Sequence, residues 1–180
     1  MTFEQLEHAI RAACAVSEDS EVIVFGSQAI LGGFPEAHHD LRQSMEADVT
    51  PKNYPERVDQ IDASLGELSM FHQTYGFYVH GVSIEAATLP EGWSSRMVRV
   101  ETANTNGRIG WCIEGHDLAA SKLVAFRDKD REFVRVLMRE NYVEHSLLKS
   151  RVLNLPLTKD EKKRLVTWID ITSGDLRRPT

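Results

Sequence analysis

The stretch VIVFGS at residues 22–27 joins four β-branched or aromatic residues to an abrupt break at Gly26 and Ser27. Such a run is typical of a buried strand, here from Glu21 to Phe25, and the break predicts a direct turn into a short helix from Gln28 to Leu31. A helix N-terminus presents unpaired backbone N–H groups, which bind phosphate oxygens. Gly26 would let the backbone approach a phosphate closely, and Ser27 would donate from its hydroxyl group. The alternative is a Gly-Ser turn that only ends a strand.

A second feature is the segment RQSMEADVT at residues 42–50. Its alternation predicts a strand over 45–50 that Pro51 limits, and residues two apart in a strand point to the same face. Glu46 and Asp48 would therefore present two carboxylates side by side, and a cation between them would relieve their repulsion. Hard oxygen ligands of this kind suit Mg²⁺ or Mn²⁺. The alternative is a strand edge whose charges face solvent.

The pattern along the rest of the chain decides the fold class. Helices are predicted over 2–14, 56–68, 118–127, 130–140, 143–152 and 159–172, and strands over 77–86, 96–101 and 108–113, with a hairpin turn at 104–107. We expect an α/β (α+β) fold with a mixed central sheet and a C-terminal helical layer. The length of 180 residues favours a single domain over 1–180, with the sheet core at about 20–115, the helical layer at about 117–173 and frayed residues from 174 to 180.

Composition excludes several classes of protein. With 42% hydrophobic and 27% charged residues the chain is typical of globular proteins, and no apolar run is long enough to span a membrane. Charges interrupt the apolar spacing of the first 15 residues, so no signal peptide is expected. The two cysteines, Cys14 and Cys112, lie far apart in sequence, which excludes a disulfide framework and a cysteine-type zinc site and favours the cytoplasm.

The charges are unevenly distributed along the chain. Residues 1–120 carry 7 basic and 18 acidic side chains, whereas residues 121–180 carry 14 basic and 9 acidic ones. Binding of nucleic acid over the whole surface would need basic groups throughout, so that class is excluded. The division suits a carboxylate-bound metal beside a phosphate-binding wall, or else a solvated helical surface at the C-terminal end.

The Gly-Ser turn and the acidic-x-acidic strand together resemble the signature of the DNA polymerase β-like nucleotidyltransferase superfamily. The segment at 42–50 is similar to the Arg-x-[Ser/Thr]-x-Asp-x-Asp strand of small bacterial nucleotidyltransferase-like families, which include the abortive-infection toxin-type enzymes. A third match, DLAASKLVAFRDKD at 117–130, resembles the helix that carries a lysine, an arginine and a Lys/Arg-Asp pair in those families. The resemblance spans about residues 20–140. Two departures are Glu46, where the family usually has Asp, and the polar Thr50 with Pro51 after the acidic pair.

The resemblance implies transfer of a nucleoside monophosphate from an NTP to an acceptor, with release of pyrophosphate. Two carboxylates would hold Mg²⁺ or Mn²⁺, and a third carboxylate from a neighbouring strand would help to activate the acceptor. The residues assigned in this way are Gly26, Ser27, Lys122 and Asp130 for the nucleotide, Glu46 and Asp48 for the metal and for catalysis, and Glu85 as the third carboxylate.

Alternatives remain at three of these positions. Alternation along the predicted strand 77–86 places Glu85 and His80 on opposite faces, so Glu85 faces the site only if His80 does not, unless a bulge intervenes. Lys122 either contacts phosphates or extends to solvent from an apolar helix. Asp130 either caps a helix or orients Lys122. Arg127 lies about 140° around a continuous helix from Lys122, so the two would not share a face, and Arg127 would instead pair with Asp130 or Glu132.

The function that the resemblance implies has a rival from another class. The enzyme would use a protein side chain, an RNA end or a small molecule as acceptor, within a toxin–antitoxin or phage-defence system. The rival is a catalytically degenerate binding module that acts through a partner protein or a homodimer, which Glu46 and the compact length favour. A membrane is not among the expected partners. The run His38-His39-Asp40 is expected to be a loop, because adjacent residues rarely converge on one metal ion.

Overall fold

The computed structural model describes residues 1–177, which form two compact units. The first comprises Met1–Ala87 and Arg96–Glu114 and contains the sheet. The second comprises Thr88–Ser95 and the residues from Gly115 onwards, and it is helical. The predicted α/β (α+β) class, a mixed sheet with C-terminal helices, is confirmed. Among the described residues no helix has the length and apolar character needed to cross a membrane.

The first unit contains four helices and five strands. The helices are α1 (Phe3–Ser17), α2 (Ile30–Gly33), α3 (Val58–Leu65) and α4 (Met70–Tyr75), and the strands are β1 (Glu21–Phe25), β2 (Glu46–Pro51), β3 (Tyr78–Gly81), β4 (Val98–Val100) and β5 (Ile109–Cys112). Short 3₁₀ turns lie at Ser27–Ala29, His39–Leu41, Pro55–Arg57 and Ile84–Ala86. A capping box between Thr2 and Gln5 begins α1, since each side chain accepts a hydrogen bond from the other residue's backbone N–H.

The sheet is mixed, with the strand order β3-β2-β1-β5-β4. β1 pairs antiparallel with β2 and parallel with β5, while β3 runs parallel to β2 and β4 antiparallel to β5. The register sets Phe25 opposite Asp48 and Asp48 opposite His80. The end of β1, the middle of β2 and the middle of β3 therefore lie side by side.

The core of the first unit follows from the apolar spacing of its helices. Leu6 and Ile10 of α1 and Ile61 of α3 are fully buried, because α1 and α3 pack against each other and against the sheet. The central strands contribute buried residues on one face of the sheet, namely Val22, Val24, Ala47, Val49 and Val79. This packing holds the strands that carry the polar residues described below.

The second unit is built from four helices. They are α5 (Gly115–Ala125), α6 (Asp128–Arg139), α7 (His145–Leu153) and α8 (Lys159–Leu176), and a 3₁₀ turn lies at Trp93–Ser95. Its core is formed by buried apolar side chains from each helix, among them Leu118, Leu123, Leu137, Leu148, Leu165 and Ile169. A capping box of Thr158 and Glu161 begins α8, as predicted. The expected fraying is wrong for residues 174–176, which continue α8, and residues 178–180 lie outside the described part of the chain.

One predicted strand ends early, one helix has no counterpart among the predictions, and the predicted hairpin turn is present. The strand predicted over 77–86 ends at Gly81, because Ser83 then accepts a hydrogen bond from the Glu85 N–H and begins a 3₁₀ turn. Helix α4 has no counterpart among the predicted elements. Its N-cap is Ser69, whose hydroxyl oxygen accepts a hydrogen bond from the His72 N–H. The hairpin turn at 104–107 is present, with positive φ at Asn106 and Gly107 as a type I′ turn requires.

Candidate active site

Three polar side chains converge on one face of the sheet in the first unit: Glu46, Asp48 and His80. Each offers one ligand atom, and these atoms lie within 4.8 Å of one another. His80 Nδ1 is 3.0 Å from Asp48 Oδ1 and 3.1 Å from Glu46 Oε1. The side chains are 25% to 42% exposed, so solutes can reach them while much of their surface is withdrawn from water.

The strand pairing explains why these residues meet. Glu46 and Asp48 are two residues apart on β2, which confirms the prediction that they share a face. His80 joins them because the parallel register of β2 and β3 sets it directly opposite Asp48. The intervening Ala47 and Val79 are fully buried on the other face.

Gly26 lies against the Asp48 carboxylate at the end of β1. Its φ of 68° and ψ of −168° belong to a region that is essentially restricted to glycine. A Cβ at this position would lie 1.8 Å from Asp48 Oδ2, so a larger residue would displace the carboxylate. Ser27 begins a 3₁₀ turn that leads into the four-residue helix α2. Because these elements are short, any phosphate contact here would depend on local N–H and hydroxyl groups more than on a helix dipole.

The electrostatics of the cluster favour a cation. Burial and the negative charge of Asp48 raise the pKa of Glu46 above its ordinary value, and the proximity of His80 offsets this only in part. Burial by itself would lower the pKa of His80, but the hydrogen bond to Asp48 and the charges of Asp48, Glu46 and Asp62 outweigh it and raise the pKa. The pKa of Tyr78, which neighbours Glu46 across the ladder, is raised by burial and by the Glu46 charge. A positive charge placed between the carboxylates would therefore be stabilised.

Comparison with known proteins gives one family. Residues 1–170 match the model of the family described as Nucleotidyltransferase of unknown function (DUF6036). The chain belongs to this nucleotidyltransferase family. No curated protein and no solved structure matches it. The predicted nucleotidyltransferase-like character is thereby confirmed, while the wider polymerase β-like superfamily and the toxin-type families stay predictions.

The assignment of Glu85 as a third carboxylate required it to lie on a strand next to that of Glu46 and Asp48, and it does not lie on a strand. It is an exposed residue of the 3₁₀ turn Ile84–Ala86 rather than a strand residue. Within residues 1–177 the group of converging ligand atoms contains His80 and not Glu85. Alternation along the predicted strand indicates that either Glu85 or His80 faces the acidic pair, and in the structure it is His80. The parallel register that sets His80 opposite Asp48 is the missing information.

Lys122 and Asp130, the predicted nucleotide-binding pair, belong to the second unit. Lys122 Nζ lies 3.6 Å from Oδ1 of Asp130, whose side chain is 1% exposed. Arg127 Nε donates to Asp130 Oδ2 at 2.6 Å. Burial would raise the pKa of Asp130, but Arg127 and Lys122 outweigh it and lower the pKa. Asp130 therefore orients Lys122, as one alternative predicted, and it does not cap α6, whose N-cap is Arg127.

The predicted pairing of Arg127 with Asp130 is confirmed, whereas the continuous helix on which Lys122 and Arg127 would lie on different faces is wrong. Helix α5 ends at Ala125 rather than at 127, and Phe126 adopts a positive φ of 53°. The chain turns there, so Lys122 and Arg127 belong to different helical segments and both reach Asp130. Whether Lys122 binds a nucleotide stays a prediction.

The run His38-His39-Asp40 also brings three ligand atoms within 4.8 Å of one another. His39 Nε2 is 2.9 Å and His38 Nδ1 is 3.4 Å from Asp40 carboxylate oxygens. The expectation that adjacent residues diverge is wrong here, because the 3₁₀ turn His39–Leu41 curls the segment onto itself. Side-chain contacts between sequence neighbours in a turn account for the arrangement.

Proposed function

We propose that this protein is a metal-dependent nucleotidyltransferase that moves a nucleoside monophosphate from an NTP to an acceptor. The observation that carries the proposal is the convergence of Glu46 and Asp48 on one face, with Gly26 pressed against Asp48, in a chain of a nucleotidyltransferase family. The closeness of Gly26 to Asp48 supports the assignment of the Gly-Ser turn and the acidic pair to one site. Either element alone would carry little weight.

The donor set fits a divalent cation. Two carboxylate oxygens and an imidazole nitrogen are all metal ligands. The pKa of Glu46 is raised by burial and by the neighbouring charge of Asp48, and a bound cation would offset that charge. Glu46 and Asp48 would hold Mg²⁺ or Mn²⁺. When bound, such an ion neutralises charge that develops on the phosphates during transfer.

The remaining groups have roles that the chemistry of transfer defines. A hydroxyl oxygen of the acceptor attacks the α-phosphorus of the NTP, and the bond from that phosphorus to the oxygen bridging it to the β-phosphorus breaks. Pyrophosphate leaves, and the hydroxyl proton passes to solvent. The Ser27 hydroxyl would donate a hydrogen bond to a phosphate oxygen. Gly26 would allow the backbone to approach the nucleotide because it has no Cβ. These contacts position the triphosphate, which is the main contribution of a protein to phosphoryl-type transfer.

The acceptor we propose is a protein side chain, an RNA end or a small molecule, in the setting of a toxin–antitoxin or phage-defence system. A partner protein or a second copy of the chain would supply further acceptor-binding surface. These parts of the proposal are supported by the resemblance of residues 20–140 to small bacterial nucleotidyltransferase-like families.

The proposal is tested by the melting temperature of the protein with ATP, GTP, CTP or UTP, each with and without Mg²⁺ or Mn²⁺. A ligand at 100 times its Kd stabilises the folded state by about 2.7 kcal/mol, which corresponds to about 5–10 °C for a chain of this size. We expect a shift that needs both the ion and one NTP. Asp48→Asn should abolish it, whereas Asp59→Asn, at an exposed carboxylate of α3, should not.

A catalytically degenerate binding module is the second candidate, because Glu46 replaces the usual Asp of the motif. The longer side chain moves a ligand oxygen by about 1 Å. A folded protein whose melting temperature no NTP changes would favour this candidate. Glu46→Asp should then restore the shift if the extra methylene is the cause.

A further inference from the structure

His80 distinguishes this cluster from a plain pair of carboxylates. Its Nδ1 lies 3.0 Å from Asp48 Oδ1 and 3.1 Å from Glu46 Oε1, so one ring nitrogen faces both acidic side chains. Two adjacent ligands of an octahedral ion with bonds of about 2.1 Å are separated by about 3 Å. The nitrogen lies at this spacing from each of the two oxygens, and the ligand atoms of the three residues lie within 4.8 Å of one another.

The backbone holds His80 in this place. The residue pairs with Asp48 in the β2–β3 ladder, and its neighbour Val79 is fully buried on the opposite face. On the other side, a Cβ on Gly81 would lie 2.3 Å from the Val58 carbonyl oxygen, so α3 contacts the strand directly after the histidine. A side chain positioned by a strand ladder and a packed helix is well suited to serve as a ligand.

The nature of the three donors bears on the choice of metal. Mg²⁺ prefers oxygen ligands and gives up its water reluctantly, whereas imidazole nitrogen suits first-row transition metals. Mn²⁺ accepts the carboxylates and phosphates that the proposed reaction needs. It binds nitrogen most weakly of the divalent first-row transition ions, but it accepts an imidazole ligand more readily than Mg²⁺ does. We infer that His80 Nδ1 is the third protein ligand of this site and that the site selects Mn²⁺ over Mg²⁺. The inference rests on the proposed function for what the ion does.

A purely structural role for His80 makes a different prediction. As a protonated ring it would donate hydrogen bonds to Asp48 and Glu46 and stand in for the cation. The nitrogen would then carry a hydrogen atom and would not be bonded to a metal. The two roles are distinguished by whether an ¹⁴N nucleus is coordinated to bound Mn²⁺.

The experiment is electron paramagnetic resonance of Mn²⁺ added to the protein without nucleotide. Free Mn²⁺ gives the binding isotherm, competition with Mg²⁺ gives the affinity ratio, and electron spin echo envelope modulation reports a directly bonded ¹⁴N. The variants are His80→Asp, which supplies an oxygen ligand, and His80→Gln, which keeps the fold testable if the new charge is not tolerated. His39→Gln is the matched control, since the run 38–40 holds the other group of ligand atoms.

We expect ¹⁴N modulation in the wild type and in His39→Gln, and none in either His80 variant. The Mn²⁺-to-Mg²⁺ affinity ratio should fall by about tenfold or more in His80→Asp. Absence of Mn²⁺ binding, Mn²⁺ binding without ¹⁴N modulation, or modulation lost in His39→Gln alone would each overturn the inference. The proposed function is tested separately. A metal-dependent shift of the melting temperature by an NTP, without ¹⁴N modulation, would contradict the inference about His80 but not the proposed function. Modulation without any such shift would contradict the proposed function but not the inference.

Discussion

Substitution of Gly26 by alanine perturbs the fold and the candidate site in a way that can be worked out from the structure. The φ of 68° and ψ of −168° lie in a region that costs a non-glycine residue about 1–3 kcal/mol. The new Cβ would lie 1.8 Å from Asp48 Oδ2, and ordinary contact begins at 3.4 Å, so the oxygen must move by about 1.6 Å. A misplacement of about 1 Å in a catalytic group is enough to cost about 100-fold in rate.

The assay compares Gly26→Ala with Gly76→Ala. Gly76 has a similar φ of 72°, but a Cβ there meets nothing within 4 Å. Urea denaturation should show a loss of about 1–3 kcal/mol for Gly26→Ala and about 1–2 kcal/mol for Gly76→Ala. Affinity for Mn²⁺ or for the metal–NTP complex should fall about 10–100-fold only in Gly26→Ala. A folded Gly26→Ala protein that binds both as the wild type does would refute the placement of Gly26 at the site.

Three further predictions concern other residues. Glu85→Gln should leave metal-dependent NTP binding unchanged in calorimetry, because Glu85 lies in an exposed turn outside the ligand group, and a loss of binding would restore it as the third carboxylate. Lys122→Ala should weaken NTP affinity by about 1–3 kcal/mol, and an unchanged affinity would mean that Lys122 serves only to neutralise Asp130. Asp19→Ala should lower the free energy of unfolding by about 3 kcal/mol, because its carboxylate accepts hydrogen bonds from the Asn53 backbone and side chain at 2.7 Å. Burial raises the pKa of Asp19 but these bonds outweigh it and lower the pKa, so its stabilisation is complete above the ordinary Asp pKa of about 3.9 and is lost as pH falls below it. A denaturation difference between wild type and Asp19→Ala that does not shrink at acidic pH would contradict this account.

Local sequence signals were sufficient for most of the elements. The apolar run ending at Gly26 gave β1 with its observed bounds, and the period of Leu6 and Ile10 gave α1. The Asn106-Gly107 pair marked the hairpin because only a few residue types tolerate positive φ at both central positions. Signals of this kind depend on residues that are close in sequence, so they can be recognised without a structure.

The parts that sequence reasoning missed depend on contacts distant in the chain. α3 lies against Gly81 at the end of β3, and no pattern within 77–86 reports that approach. The turn at Phe126 that lets Lys122 and Arg127 share Asp130 interrupts a stretch that otherwise has helical spacing. The pairing of His80 with Asp48 is a property of strand register, which alternation within one strand does not fix.

The central claim, transfer of a nucleoside monophosphate through the Glu46–Asp48 site, is tested most directly by following the label of α-³²P-NTP and γ-³²P-NTP. The protein is incubated with each nucleotide, Mn²⁺ or Mg²⁺, and a cell extract as the source of acceptor, beside Asp48→Asn and the Asp59→Asn control. The account predicts that an acceptor gains label from the α position and none from the γ position, that a chelator prevents this, and that Asp48→Asn alone abolishes it. Label gained from the γ position, or α-label gained equally with Asp48→Asn, would contradict it.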